Sequence, residues 1–248
     1  MNKILCFLLV FMFFISCNKK QPSNVSEIPG TQFNPNLGYN QVVDIDGNTY
    51  KTINIGTQVW MAENLKVEHY QNGDAIPNLT DSITLAGSNI GSWQSPNNDP
   101  TLENPYGKLY NWYVVNDIRN VCPTGWHVPN EMDWDILTYN LDTNAVWNSN
   151  NQMQSGVAGS AMKSTGSEYW TGNYPNTDAT NSSGFSALPA GGGSDGASFS
   201  KGVAAYFWTS GIVQSGYADS RYLFVNSPCL HKQLRNFSYG LSIRCVQD

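Results

Sequence analysis

The chain has 248 residues, a formal net charge of -6, and 13 Lys and Arg against 19 Asp and Glu, so it offers no basic stripe and nucleic acid is excluded as a partner. Eight Trp, thirteen Tyr and ten Phe supply a sizeable core, although Asn, Gly, Ser and Thr fill much of the remainder. The length suits one larger domain or two small ones.

Lys3, an uninterrupted apolar run from Ile4 to Ile15, and Ser16 ahead of Cys17 describe an export signal over residues 1–16. The run is too short to span a bilayer, which takes about 20 residues. The sequence FIS-C followed by NKKQPSN resembles the relaxed lipobox of bacterial lipoproteins. That resemblance implies cleavage before Cys17 and lipid attached to it, with an ordinary secretory signal as the alternative. The acyl chains would then be the membrane attachment. Residues 17–40 are rich in Pro, Asn, Ser, Gln and Gly without periodicity and read as a flexible tether. Residues 41–248 read as one folded domain, without internal repeat or second linker.

The domain opens on QVVDIDGNTYKTINIG, two β-branched runs around Asp46-Gly47-Asn48, a hairpin signal. Asp44, Asp46 and Asn48 invite a calcium reading. It fails in detail, because an EF-hand loop wants Gly sixth and Glu twelfth, whereas here Gly is fourth and Ile55 twelfth. A further strand, QVWMAENL, follows. Residues 70–104 are long and irregular, rich in Asn, Asp, Ser, Gly and Pro around Trp93, and such a stretch is usually functional or disordered. NPYGKLYNWYVVND fits helical and strand spacing equally and is assigned to the core without a choice between them.

In NVCPTGWHVPNEMDWDIL, Cys122 and His127 lie five residues apart, which raises a Cys/His catalytic pair against a structural corner. Asn130 is a good N-cap, Glu131 and Asp133 suit a first turn, and Trp134, Leu137 and Leu141 follow at helical spacing with Ile136 widening the stripe. A helix is predicted over 131–141. AAYFWTS, SRYLFVN, HKQLRNF and YGLSIRCV read as strands, and in the last of them Leu241, Ile243 and Cys245 share one face. The run Gly191-Gly192-Gly193 does not join a strand to a helix, so no phosphate loop is expected. With Cys6 in the signal and Cys17 lipidated, Cys122, Cys229 and Cys245 remain. Two of three are expected to pair in an oxidising envelope; Cys122 with Cys245 is the favoured pair, leaving Cys229 over. That pairing argues for the corner and against a catalytic thiolate.

The segments DIDGNTYKTINIGTQVWMAENL, YGKLYNWYVVND, CPTGWHVPNEMDW, GFSALPAGG, YFWTS and GLSIRCVQD together resemble the Fibrobacter succinogenes major paralogous domain of exported Bacteroidota and Fibrobacterota proteins, from about residue 42 to 248. HVPNEMDW and GLSIRCV are also similar to the helix and closing strand of formylglycine-generating enzymes. This second resemblance implies an α+β, C-type-lectin-like fold, with small twisted antiparallel sheets, one or two packed helices and long irregular loops. It does not carry the chemistry over. The paired copper-binding cysteines of those enzymes are missing, since only Cys229 stands in that region. The three histidines of the related iron enzymes are not matched by the scattered His69, His127 and His231.

The expected function is therefore non-catalytic: a lipid-anchored binding or adhesion module of the cell envelope, with a glycan as its ligand class. Aromatic faces stack on sugars and carboxamides bind hydroxyls, so the expected ligand surface is Trp93, Asn97, Asn98, Asp99, Tyr174, Asp178 and Tyr217, with Trp170 and Asp195 as weaker members. Trp170 and Trp208 are weighed toward core, and loop Asn and Asp toward turns. The alternative is a structural or assembly component acting through protein contacts. No cofactor is implied, and a structural calcium lacks a motif. The outer membrane is the expected location; NKKQ after Cys17 lacks the acidic cluster associated with surface export, which leaves the facing side open.

Overall fold

The computed structural model describes residues 32–79, 89–147, 153–172, 175–176, 178–194 and 196–248. The expected hairpin forms between β1 (Asn40–Val43) and β2 (Thr49–Ile55), and a turn leads on to β3 (Gln58–Met61). Asp44 builds the hairpin turn. Its carboxylate accepts from the backbone N–H groups of Asp46 and Asn48, from Asn48 Nδ2 and, at 2.6 Å, from the Tyr50 hydroxyl, while Gly47 supplies the left-handed φ of 79°. The burial of Tyr50, with Asp44 beside it, pushes that phenol well above its ordinary range.

The aromatic segment resolves as neither a long helix nor a long strand. After β4 (Trp93–Gln94) and the single turn α1 (Glu103–Tyr106), β5 (Leu109–Tyr110) pairs with β4 and the single turn α2 (Trp112–Val115) follows. Then come β6 (Trp126–His127) and the predicted helix, α3 (Glu131–Leu141). Asn130 caps α3 as expected, accepting from Met132 N and Asp133 N while Asp133 Oδ2 accepts from Asn130 N. Ile136 does not join the buried stripe and is exposed. Asp135 and Thr138 lie on the inner side with Trp134 and Leu137, because Asp135 meets the buried guanidinium of Arg221 at 3.3 Å.

A small hairpin, β7 (Val146–Trp147) with β8 (Met153–Gln154), and α4 (Ala158–Met162) precede a second hairpin of β9 (Gly192–Ser194) with β10 (Ala197–Phe199). The last third supplies β11 (Ala204–Gln214), β12 (Tyr217–Phe224), β13 (His231–Asn236) and β14 (Val246–Gln247). The architecture is α+β. One antiparallel sheet runs β1-β2-β3-β14-β6 and another β11-β12-β13.

β11 explains why AAYFWTS is apolar without alternation. Ala204, Tyr206 and Trp208 enter one core with Tyr110, Trp126 and Cys245, while Ala205 and Phe207 enter another with Trp60, Trp134 and Phe185. Both faces are buried, as in strands covered on two sides. Leu241, Ile243 and Cys245 share a buried face as expected, and Cys245 is bonded to Cys122 with their Cα atoms 5.9 Å apart. Cys229 is not a free thiol either, which corrects the expectation that it is left over.

Packing also begins earlier than the composition indicated. Phe33, Leu37 and Tyr39, assigned to the tether, pack against the second core, and Asn34 Nδ2 donates to Asn181 O at 3.0 Å. Scattered apolar side chains in an otherwise polar segment are enough to dock it.

Candidate functional site

The expected ligand surface does not assemble as such. Trp93 is buried; its indole N–H donates to Ile76 O at 2.9 Å, and Lys108 Nζ sits 4.2 Å from its ring centroid, so the face expected to stack on a sugar is covered from within. Asn97 and Asn98 are exposed but take left-handed φ values of 53° and 56°, and Asn98 Nδ2 donates to Gly196 O. Asp99 caps the next turn, accepting from Thr101 N and Oγ1. Tyr217 is 40 % exposed, at the start of β12 in the other sheet. Trp170 is core, donating to Ser164 Oγ at 3.0 Å. Cys17, Tyr174 and Asp195 lie outside the described residues.

Asp178 is committed to an ion pair. Lys163 is fully buried, and its ammonium meets Asp178 Oδ1 and Oδ2 at 2.8 and 2.9 Å and the carbonyls of Phe224, Val225 and Ser227 at 3.1 Å each. Burial lowers the Lys163 pKa and Asp178 opposes that shift. The loop below this cage also holds Ser227 Oγ 2.8 Å from His231 Nε2. Burial, with Lys163 nearby, lowers the His231 pKa. Ser227 Oγ accepts from Cys229 N as well, which makes it a turn-forming hydroxyl.

The corner reading of Cys122 and His127 holds. The thiol is consumed in the disulfide, and His127 bridges Asp248 at 2.7 Å and Asp133 at 3.1 Å. Among the described residues no group of three or more His, Cys, Asp or Glu is placed to hold a metal ion.

What the fold does assemble is a polar pocket of about 230 Å³ lined by Asp46, Asn48, Lys66, Glu68, His69, Glu103 and Lys108. The β1–β2 turn contributes Asp46 and Asn48. The extended segment after β3 contributes Lys66, Glu68 and His69, tied to the turn because Asp46 accepts from Glu68 N at 2.6 Å and contacts His69 Nδ1 at 2.6 Å. Glu103 and the buried Lys108 close the far wall: Lys108 bonds Glu103 and lies 3.2 Å from Glu68, while Ser95 Oγ donates to Glu103 at 2.6 Å. Trp93 therefore serves this site from beneath, through Lys108. The volume is below the ~300–1,000 Å³ of drug-sized sites and suits one small polar unit.

A second concavity, about 560 Å³, lies beside α3 and is lined by Thr57, Glu131, Met132, Asp135, Ile136, Tyr139 and Asn140. Met132, Ile136 and Tyr139 are 70, 37 and 53 % exposed, an apolar stripe opposite the buried one. Beside it Arg221 bonds Glu131 at 2.7 Å, and Lys232 bridges Glu131 and Asp219 at 2.8 Å each.

Neither concavity stood out in the sequence. For the polar pocket one signal was present: charged residues are only 13 % of the chain, yet Lys66, Glu68 and His69 fall within four positions. No curated protein and no solved structure matches the chain. Residues 53–247, from β2 to β14, match the Fibrobacter succinogenes major domain, and the chain belongs to that family.

Proposed function

We propose that this is a non-catalytic, lipid-anchored binding module of the cell envelope whose ligand is a glycan, held in the polar pocket between the β1–β2 turn and Lys108. The carrying observation is the lining of that pocket: seven side chains from three parts of the chain, all of them hydrogen-bonding and none apolar. Carboxylates, an amide and amines match vicinal hydroxyls better than they match an apolar ligand. Lipid on Cys17 and an outer-membrane location belong to the same reading. So does a C-type-lectin-like arrangement, which the pairing of the closing strand β14 with β3, near the start of the domain, supports. The test is binding of the full chain in detergent to a broad glycan and matrix-protein array, with and without chelator. Silence on every glycan overturns the glycan reading.

The exposed stripe of Met132, Ile136 and Tyr139 favours a second reading, an assembly component acting through protein contacts. On that reading Ile136→Asp lowers incorporation of the chain into envelope complexes while leaving its melting temperature unchanged.

A further inference from the structure

The unspent groups of the polar pocket are mostly acceptors. A carboxylate only accepts, so the 2.6 Å contact with Asp46 Oδ1 places a proton on His69 Nδ1 and commits that donor. At Asn48, Nδ2 donates to Asp44 Oδ2 at 2.9 Å, which leaves Oδ1. Glu68 lends Oε1 to Lys108 and is 52 % exposed, against 21 % for Asp46 and 20 % for Glu103, so it is the carboxylate most open to a ligand. Facing these stands Lys66, the one lining ammonium without a carboxylate partner among the described residues; its Nζ lies 5.8 Å from the Tyr50 ring centroid. Lys108 is buried and already shared by Glu68 and Glu103. Three carboxylates stand against two ammonium groups in the lining.

On the glycan reading given above, we infer that the pocket selects a sugar bearing a free amino group, with Glu68 receiving the ammonium. An ammonium brings three donors and a positive charge to a site rich in acceptors and in negative charge. Acetylation of the amine removes the charge. The expected preference for the amine over the matched neutral sugar is about ten-fold, equivalent to about 1.4 kcal/mol.

The full chain in detergent is titrated calorimetrically with tetramers of glucosamine, N-acetylglucosamine, glucose and glucuronic acid at constant ionic strength. The glucosamine arm should bind tightest. In Glu68→Gln the ratio between glucosamine and glucose should collapse toward one, which separates recognition at Glu68 from general attraction of a cation to an acidic protein. Equal binding of the amine and neutral arms, or a ratio untouched by Glu68→Gln, overturns the amine preference and leaves the glycan reading standing. No binding in any arm also overturns the amine preference, while the glycan reading itself falls only to silence on the whole array.

Discussion

Replacing Lys163 with Met keeps the aliphatic stem and removes an ammonium that five oxygen atoms surround. Removing one partner of a buried pair costs about 3–5 kcal/mol, chiefly because the other groups are left without compensation. Asp178 retains 25 % of its side-chain exposure and can turn toward water, which limits its share. The carbonyls of Phe224, Val225 and Ser227 cannot move without the loop that carries them. An expected loss of ~3–4 kcal/mol follows. For a domain of this size each kcal/mol shifts Tm by about 2–4 °C, so the variant should melt about 6–16 °C lower. Urea melts of the two proteins give the free-energy difference and calorimetry gives Tm. A loss below ~1 kcal/mol would refute the reasoning, since it would mean that the cost of burying the ammonium cancels what the cage returns.

Four further outcomes are expected. Cys122→Ala with Cys245→Ala should lower stability by roughly 2–5 kcal/mol, read by urea melts, because the crosslink spans 123 residues of chain. The His231 pKa is lowered from 6.5 by burial, so the unfolded chain binds the proton more readily; stability present above pH 6.5 should fall as the pH drops through the lowered folded value. His231→Gln should flatten that part of the pH–stability curve. Arg244 is buried over the Phe185 and Phe207 rings, donates to Asn64 Oδ1 at 2.8 Å and Ser186 O at 3.0 Å, and has its pKa drawn down to about 9 by burial. Arg244→Lys keeps charge but not the planar fork and should cost ~2–4 kcal/mol in the same melts. Gly159→Ala should sharply reduce soluble yield, because a Cβ there runs into the backbone of Pro228 and Cys229.

Local signals carried the elements whose causes are local. The β1–β2 hairpin was readable because Gly47 and Asn48 meet a turn requirement within a few residues, and α3 because Asn130 and Asp133 form its cap. Cys122 and Cys245 were readable through the compartment implied by Lys3 to Cys17. Ile136 was misplaced because periodicity sees only apolarity, whereas the partner that draws Asp135 inward, Arg221, is 86 residues away. Trp93 was misread for a related reason: its place in a polar loop says nothing about Lys108, which covers it. Asp178 looked like a free loop carboxylate until α4 brought Lys163 to it. The polar pocket draws on residues 46–48, 66–69 and 103–108, and only the pairing of those segments in space makes one site of them.

The place of β14 in the sheet bears on how the chain is made. It lies between β3 and β6, bonded to Trp60 on one side and to His127 and Trp126 on the other. A chain that emerges N-terminus first has made both neighbours long before the strand that joins them. Until then β3 and β6 keep open edges, and Cys122 has no Cys245 to meet. The nascent domain therefore cannot close early; its final register and its crosslink wait on the same few residues.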